Sequence, residues 1–367
     1  MPRGVFDYID GAAEDEQTLD RNSAAFKRLE FRPRVLAGVG IVDPTATLLG
    51  RKIPIPLVLS PVGFTRVAHS QGELAVARAA DRAGIPYTLS TLSTRSIEEV
   101  AAVSAGPKWF QVYAWRDRGL VQELVDRARA AGYEAIVLTV DTAVLGRRER
   151  DIRNGFTLPP ALGLDTLIDG ALHPAWTIDF LRGGPISFAN VVGHGDAAAS
   201  SADPVTLADY MAEQFDPGLN WHDIDWLRSI WDGPIVLKGV QRVEDAELAA
   251  EAGVDAIALS NHGGRQLDSA PPPLELIAPV ADRVGGRIEI LCDGGIRRGS
   301  DVVKAVALGA TACMVGRAYA YALGAGGEAG VDLALRWFDE GIRRTMTLAG
   351  ARSLAECTPD LVRWRES

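Results

Sequence analysis

The sequence predicts an α/β protein, a (β/α)8 barrel of the TIM type with a long insertion after the fourth strand. Three observations carry that prediction. First, one unit recurs: a helix closing on glycine, a short loop, then an apolar strand ending in a small or polar residue. Ala83-Gly84 onward to Ser90, Ala131-Gly132 to Thr139, Ala252-Gly253 to Ser260 and Leu308-Gly309 to Gly316 are copies of it. The glycine is the expected left-handed helix terminator. Second, eight such strands can be counted, and their unbroken apolar character is that of a parallel sheet covered on both faces. Third, no GxGxxG follows the first strand, which weakens the alternative of a doubly wound open sheet.

In chain order the strands are expected at 56–60, 86–90, 108–113, 135–140, 234–238, 256–260, 288–293 and 312–316. Amphipathic helices separate most of them, for example at 72–83, 121–131, 243–252 and 300–308. Eight parallel βα units make one barrel domain, here spanning 1–367. Residues 141–233 break the rhythm, with an insertion assigned to 155–220. They contain the segment 162–183, apolar-leaning over 162–180 but punctuated by Asp165, Asp169 and Asp179, an Ala/Ser-rich stretch at 194–203 and two expected helices at 204–215 and 221–231. The second helix reads as a core-facing stripe. Insertions this long are commonly active-site lids or binding loops.

In such a barrel the chemistry lies at the C-terminal ends of the strands. Those ends read Ser60-Pro61-Val62-Gly63, Ser90-Thr91, Gln111-Val112-Tyr113, Thr139-Val140-Asp141, Lys238, Ser260-Asn261-His262, Asp293-Gly294-Gly295 and Gly316-Arg317. Packing alone does not predict such a ring of polar residues. The most pointed stretch runs from Ser260 to Asp268, where His262 and Arg265 flank a Gly-Gly pair. In isolation it reads as a packing turn. Within the ring it reads as a base and a fixed cation, suited to deprotonating a substrate and gripping its carboxylate.

The loops beginning at Asp293 and Gly316 follow the seventh and eighth strands, where barrels commonly bind phosphate. Their backbone N–H groups, a helix start near Ser300, and Arg297 and Arg317 suit a phosphate dianion. The run Gly146-Arg147-Arg148-Glu149-Arg150-Asp151 offers an inward guanidinium, and spacing does not choose which one.

Composition sets the remaining bounds. A formal charge of -10 argues against nucleic acid as a partner. Three cysteines without CxxC or metal spacing point to buried thiols in a reducing compartment and to no metal. No signal-peptide core follows the N-terminus, and no apolar run is long enough to span a bilayer.

Several motifs together resemble one family. They are Phe6-Asp7-Tyr8, Gly11-Ala12-Ala13-Glu14-Asp15-Glu16, Trp109-Phe110-Gln111-Val112-Tyr113, Leu138-Thr139-Val140-Asp141 with Gly146-Arg147-Arg148, Leu237-Lys238-Gly239, and the stretches 260–268 and 293–299. The chain resembles, over nearly its whole length, the FMN-dependent L-2-hydroxy acid oxidising family of glycolate oxidase, L-lactate dehydrogenase and (S)-mandelate dehydrogenase. Segment 172–180 looks most like the mandelate and lactate dehydrogenase branch.

The resemblance implies FMN as cofactor and a small 2-hydroxy acid as substrate, with electrons passing to a quinone or to oxygen. It implies His262 as general base, oriented by Asp141. Arg148 and Arg265 would bind the substrate carboxylate, and Tyr8 and Tyr113 would hydrogen-bond the substrate. Pro61, Val62, Gly63, Ser90, Gln111, Thr139, Lys238 and Ser260 correspond to flavin-contacting positions. Asp293, Gly295, Arg297, Gly316 and Arg317 correspond to the anchoring end of the cofactor site.

Gly63 resembles dehydrogenase and monooxygenase members, where oxidases more often carry Ala. Leu92 replaces a bulky aromatic of glycolate oxidases, which favours lactate, mandelate or a medium-sized acid. The family carries a helix ahead of Phe6 and this chain starts almost on that motif, so Tyr8 is expected to be loosely held. The resemblance further implies a homo-oligomer, a tetramer by analogy. It implies a cytoplasmic location, with the insertion either a lid or a membrane contact on the inner face of the cell membrane. An oxygen-using oxidase or monooxygenase and a peptide-modifying flavoprotein on the same scaffold are the competing functions.

Overall fold

A computed structural model of the chain describes residues 1–154, 164–191 and 213–365. All eight predicted strands form. They are β1 (Leu57–Leu59), β2 (Tyr87–Leu89), β3 (Lys108–Tyr113), β4 (Ala135–Thr139), β5 (Ile235–Val240), β6 (Ala256–Ser260), β7 (Glu289–Asp293) and β8 (Ala312–Val315). Each pairs in parallel with its sequence neighbour, and β8 closes on β1 through Val315 opposite Leu59. The open-sheet alternative is thereby removed.

Helices cover the barrel: α1 (Arg3–Asp10), α2 (Gln17–Arg28), α3 (Gly72–Ala83), α4 (Ile97–Val103), α5 (Arg118–Ala130), α6 (Glu149–Arg153), α7 (Leu164–Leu172), α8 (Pro174–Arg182), α9 (His222–Ile230), α10 (Val243–Glu251), α11 (Pro273–Val284), α12 (Gly299–Ala307) and α13 (Arg317–Ala349). Helix α5 begins a turn earlier than its apolar pattern suggests, because the Asp117 carboxylate accepts from Leu120 N at 2.9 Å and caps it. Helix α9 buries Ile224 and Leu227, as its stripe predicts.

The barrel interior is packed with Val58, Trp109, Val137, Val236, Leu291 and Met314. A hairpin of strands Ala46–Leu48 and Arg51–Ile53 plugs its N-terminal end with buried Leu48 and Ile53. Leu49 N donates to the Glu289 carboxylate at the start of β7, which fixes that plug. The bottom is therefore closed, and only the C-terminal end is open to chemistry.

The described part of the insertion contains the pair α7 and α8. Trp176 Nε1 donates to Val67 O at 2.9 Å. The Arg66 guanidinium donates to the carbonyls of Gly183, Gly184 and Pro185. The Ala/Ser-rich stretch at 194–203 lies outside the described residues, as does the helix expected at 204–215 up to residue 212.

Candidate active site

The loop after β6 is built from three successive left-handed residues: His262 at φ 58, Gly263 at 66 and Gly264 at 80. A Cβ on Gly264 would stand 2.8 Å from Leu19 N, so glycine is required there. His262 carries a side chain in that same region, a strained conformation of the kind found at functional sites. The turn is held by Asn261 and Asn22, whose side-chain amides bond each other reciprocally at 2.8 Å. Farther along the loop, Asp268 accepts from Thr18 N at 2.8 Å and caps α2.

This geometry brings His262 Nδ1 to 2.9 Å from Asp141 Oδ1. A carboxylate only accepts, so Nδ1 carries a proton toward it, which in the neutral ring leaves the lone pair on Nε2. The Asp141 side chain is 3% exposed. It reaches the histidine because β5 bulges between Lys238 and Val240. The extra residue, Gly239, has φ 113, and a Cβ on it would lie 2.8 Å from the Asp141 side chain. Bulges of this kind re-aim side chains beside active sites.

The arginine run after β4 separates by direction. Arg147 is 73% exposed beside Glu149. Arg150 turns to α1. Arg148 lines the cavity at the barrel mouth, with its Nε buried and without a hydrogen-bond partner among the described residues. Arg265 donates through one terminal nitrogen to Tyr8 O at 2.8 Å and Gly11 O at 2.9 Å, and its guanidinium lies 5.2 Å over the Tyr8 ring. Burial, aided by Arg148, pulls its pKa down to about 9. An anion between the two guanidiniums would relieve that cost. Burial also pushes the Tyr113 phenol far up, so it remains a donor.

Tyr8 is held more firmly than the sequence suggested. Besides Arg265, the Arg317 guanidinium donates to Ile9 O at 3.1 Å and Gly11 O at 2.7 Å. Two buried cations thus grip the carbonyl end of α1, where the helix dipole is negative.

Across the mouth lies a second cluster. Lys238 Nζ is 2.7 Å from Asp293 Oδ2 and donates to Ser260 Oγ at 3.0 Å. Ser60 Oγ donates to Asp293 Oδ1 at 2.8 Å. Burial alone would lower the lysine pKa and raise the aspartate's, but their mutual attraction wins and moves both the other way. Ser90 Oγ donates to Gln111 Oε1 at 3.2 Å, while Gln111 Nε2 is buried with no acceptor.

These residues share one cavity of about 330 Å³. Pro61, Val62, Gly63, Ser90, Gln111 and Thr139 line its floor, and Gly295, Arg297, Gly316 and Arg317 its far end. Asp141 and Ser260 stand one layer behind the lining, bonded to His262 and to Lys238. The sequence reading missed Leu145, Phe188 and Phe215, which line the same cavity. Phe188 and Phe215 come from the interval without barrel periodicity, so no spacing marked them. The residues fit an FMN: the unpartnered Gln111 amide and the buried Lys238 would hold its ring, and the glycine backbone with Arg297 and Arg317 would hold its phosphate.

Comparison with known proteins agrees with this arrangement. The family model described as FMN-dependent dehydrogenase matches residues 1–364. A putative L-lactate dehydrogenase of Mycobacterium tuberculosis is 46% identical over 359 residues, 98% of this chain and 84% of that protein. Glycolate oxidase 1 of Oryza sativa subsp. indica is 44% identical over 358 residues, 98% and 90% of the two chains. The crystal structure of the monotopic membrane protein (S)-mandelate dehydrogenase superposes with a TM-score of 0.94 at 40% identity, covering 100% of this chain and 96% of that one.

Proposed function

The chain belongs to the family of FMN-dependent dehydrogenases, enzymes that oxidise 2-hydroxy acids of the lactate, mandelate and glycolate type, and from that premise we propose that it is an L-2-hydroxy acid dehydrogenase acting on a lactate- or mandelate-like acid. The observation that carries the residue roles is the 2.9 Å His262–Asp141 bond opening on the same cavity as Arg148 and Arg265.

Arg148 and Arg265 bind the substrate carboxylate, and charge-assisted, paired contacts fix which face of C2 meets the cavity floor. Tyr113, which stays protonated, and Tyr8 donate hydrogen bonds to the substrate. His262 Nε2 takes the hydroxyl proton, and Asp141 stabilises the imidazolium that results. Ser90, Gln111, Thr139 and Lys238 would hold the flavin ring, while Gly295, Arg297, Gly316 and Arg317 would hold its phosphate. When bound there, FMN supplies the two-electron oxidation of C2 that yields the 2-oxo acid.

Leu92, Leu145, Phe188 and Phe215 give the cavity an apolar side, which supports a substrate with an apolar group on C2. We assign the final acceptor to a quinone rather than oxygen, a reading supported by Gly63 at the cavity floor. The test is anaerobic mixing of the FMN-loaded enzyme with (S)-mandelate or L-lactate. Bleaching of the flavin with slow recovery in air is expected. No bleaching with either acid would overturn the substrate class, and rapid recovery in air would overturn the acceptor.

A peripheral contact with the inner face of the cell membrane also belongs to this reading. Asp169 and Asp179 of the insertion turn toward the barrel, onto Arg3 N at 2.6 Å and Ser70 N at 2.7 Å. Ile168, Leu172, Ile178 and Leu181 point outward and are 49–74% exposed. That is the pattern of an interfacial contact. Among the described residues no helix is long and apolar enough to cross a membrane. Co-flotation with anionic vesicles, lost in I178D/L181D, is the expected result.

A further inference from the structure

We propose that Arg150 is a positioning residue that clamps the two separately encoded arms of the carboxylate-binding site, Tyr8 on α1 and Arg148 at the start of α6. The inference rests on the carboxylate-binding roles given to Tyr8 and Arg148 above.

Arg150 is two residues beyond Arg148, in the short helix that Arg148 caps. Its guanidinium does not face the cavity. It reaches Asp10 Oδ2 at 2.7 Å, Asp7 Oδ1 at 3.5 Å and the Glu16 carboxylate, so one side chain meets three acids on α1 and the turn after it. The acids are themselves placed. Asp7 accepts from Asn154 Nδ2 at 2.5 Å, just past the end of α6. Glu16 accepts from Ala12 N at 2.8 Å and shapes the turn after α1. Asp10 accepts from the Tyr321 hydroxyl on α13.

Tyr8 lies between Asp7 and Asp10 on the helix these contacts hold. Arg265 and Arg317 fix the carbonyl end of α1 to the barrel, but among the described residues neither hydrogen-bonds to α6. Arg150 supplies that second tie, between α1 and the segment that presents Arg148. The guanidinium is 29% exposed, the partners 10–28%, and three acids share one cation, so this is a network and not an isolated surface pair. Burial would lower the arginine's pKa, but the bonds to Asp10 and Glu16 raise it, so the guanidinium stays charged.

An arm displaced by an ångström loses much of its binding. The loss belongs in KM for the hydroxy acid, because Arg150 touches neither His262 nor Asp141.

The experiment is a double-mutant cycle on the FMN-loaded enzyme, with (S)-mandelate as substrate and a dye as acceptor. R150M is expected to raise KM about tenfold with kcat within twofold, and R150K to recover part of the loss. In a Y8F background R150M should raise KM by about threefold more instead of tenfold, since one of the two arms it ties is already disabled. D10N removes one partner while leaving the guanidinium, and should shift KM the same way more weakly; it serves if R150M does not accumulate as folded protein. Losses that multiply in Y8F/R150M would overturn the clamp while leaving the role of Tyr8 intact. Y8F with unchanged KM would overturn that role and the clamp with it. A fall in kcat at constant KM would assign Arg150 to the chemical step and also overturn the proposal.

Discussion

The two sides of the barrel mouth are built differently. The side at β5, β7 and β8 draws its groups from strand ends: Lys238, Asp293, Gly295, Gly316 and Arg317 lie on or just after their strands. Its lysine is already compensated, by Asp293 at 2.7 Å, whereas burial beside Arg297 pulls the Arg317 pKa down to about 10. The side at β4 and β6 draws on longer loops and on the N-terminus, with His262 in a strained turn, Arg148 seven residues past Asp141 and Tyr8 on a separate helix. Here the cations are only partly compensated: the Arg148 Nε is buried without a hydrogen-bond partner, Asp151 acts on Arg148 and Arg265 through its charge, and burial still pulls the Arg265 pKa down to about 9. The difference teaches where charge is held in reserve: the Lys238 end is neutralised as built, while Arg317 on one side and Arg148 and Arg265 on the other gain most from an incoming anion.

Separability of the two sides is testable. The largest effect is expected for H262A, with kcat lower by roughly 10³-fold, within the range of general-base catalysis, and FMN content unchanged. Loss of bound flavin from H262A would break the division.

Next come the two arginines. R148M should raise KM about 10- to 100-fold, the value of a hydrogen-bonded charge pair, with the melting temperature unchanged. R265M should raise KM similarly and also lower the melting temperature, because it releases the carbonyl end of α1. Equal melting temperatures for the two variants would show that Arg265 has no share in holding Tyr8.

A smaller effect belongs to the cofactor side. Q111L removes the unpartnered amide, and FMN affinity should fall about tenfold by equilibrium dialysis, as for one lost hydrogen bond, with KM for the acid within twofold.

The smallest is a pH effect on the tie between α1 and α6. Burial would raise the Asp10 carboxyl, but its bonds to Tyr321 and Arg150 hold it below the ordinary value. A depressed folded pKa stabilises above the unfolded value of about 3.9 and is lost as pH falls through the folded one. Wild type should therefore melt at higher temperature than D10N near neutrality, and the gap should close as pH falls below about 4. A gap that persists at low pH would place the benefit of Asp10 elsewhere.

Much of this molecule was legible in the sequence. Each strand bears its own evidence, an apolar run after a glycine, because a parallel strand is buried on both faces and tolerates little else. The strand ends were legible for the same reason, since a polar residue closing such a run has no packing explanation. The direction of Arg148 against Arg147 and Arg150 was not, because the three lie within four residues around the start of one short helix and only the position of α1 selects among them. Phe188 and Phe215 were not, because their segment has no repeat to frame it. The firmness of Tyr8 was misjudged, because the ties that hold it come from Arg265 and Arg317, each more than 250 residues away.

The sequence by itself determined the barrel, the end at which chemistry happens and the residue types gathered there, since local apolar periodicity and strand-end chemistry are properties of neighbouring residues. Only the tertiary structure decided which cation stays free, which carboxylate meets the histidine and what holds the first helix, since those depend on distances between segments that no local pattern encodes.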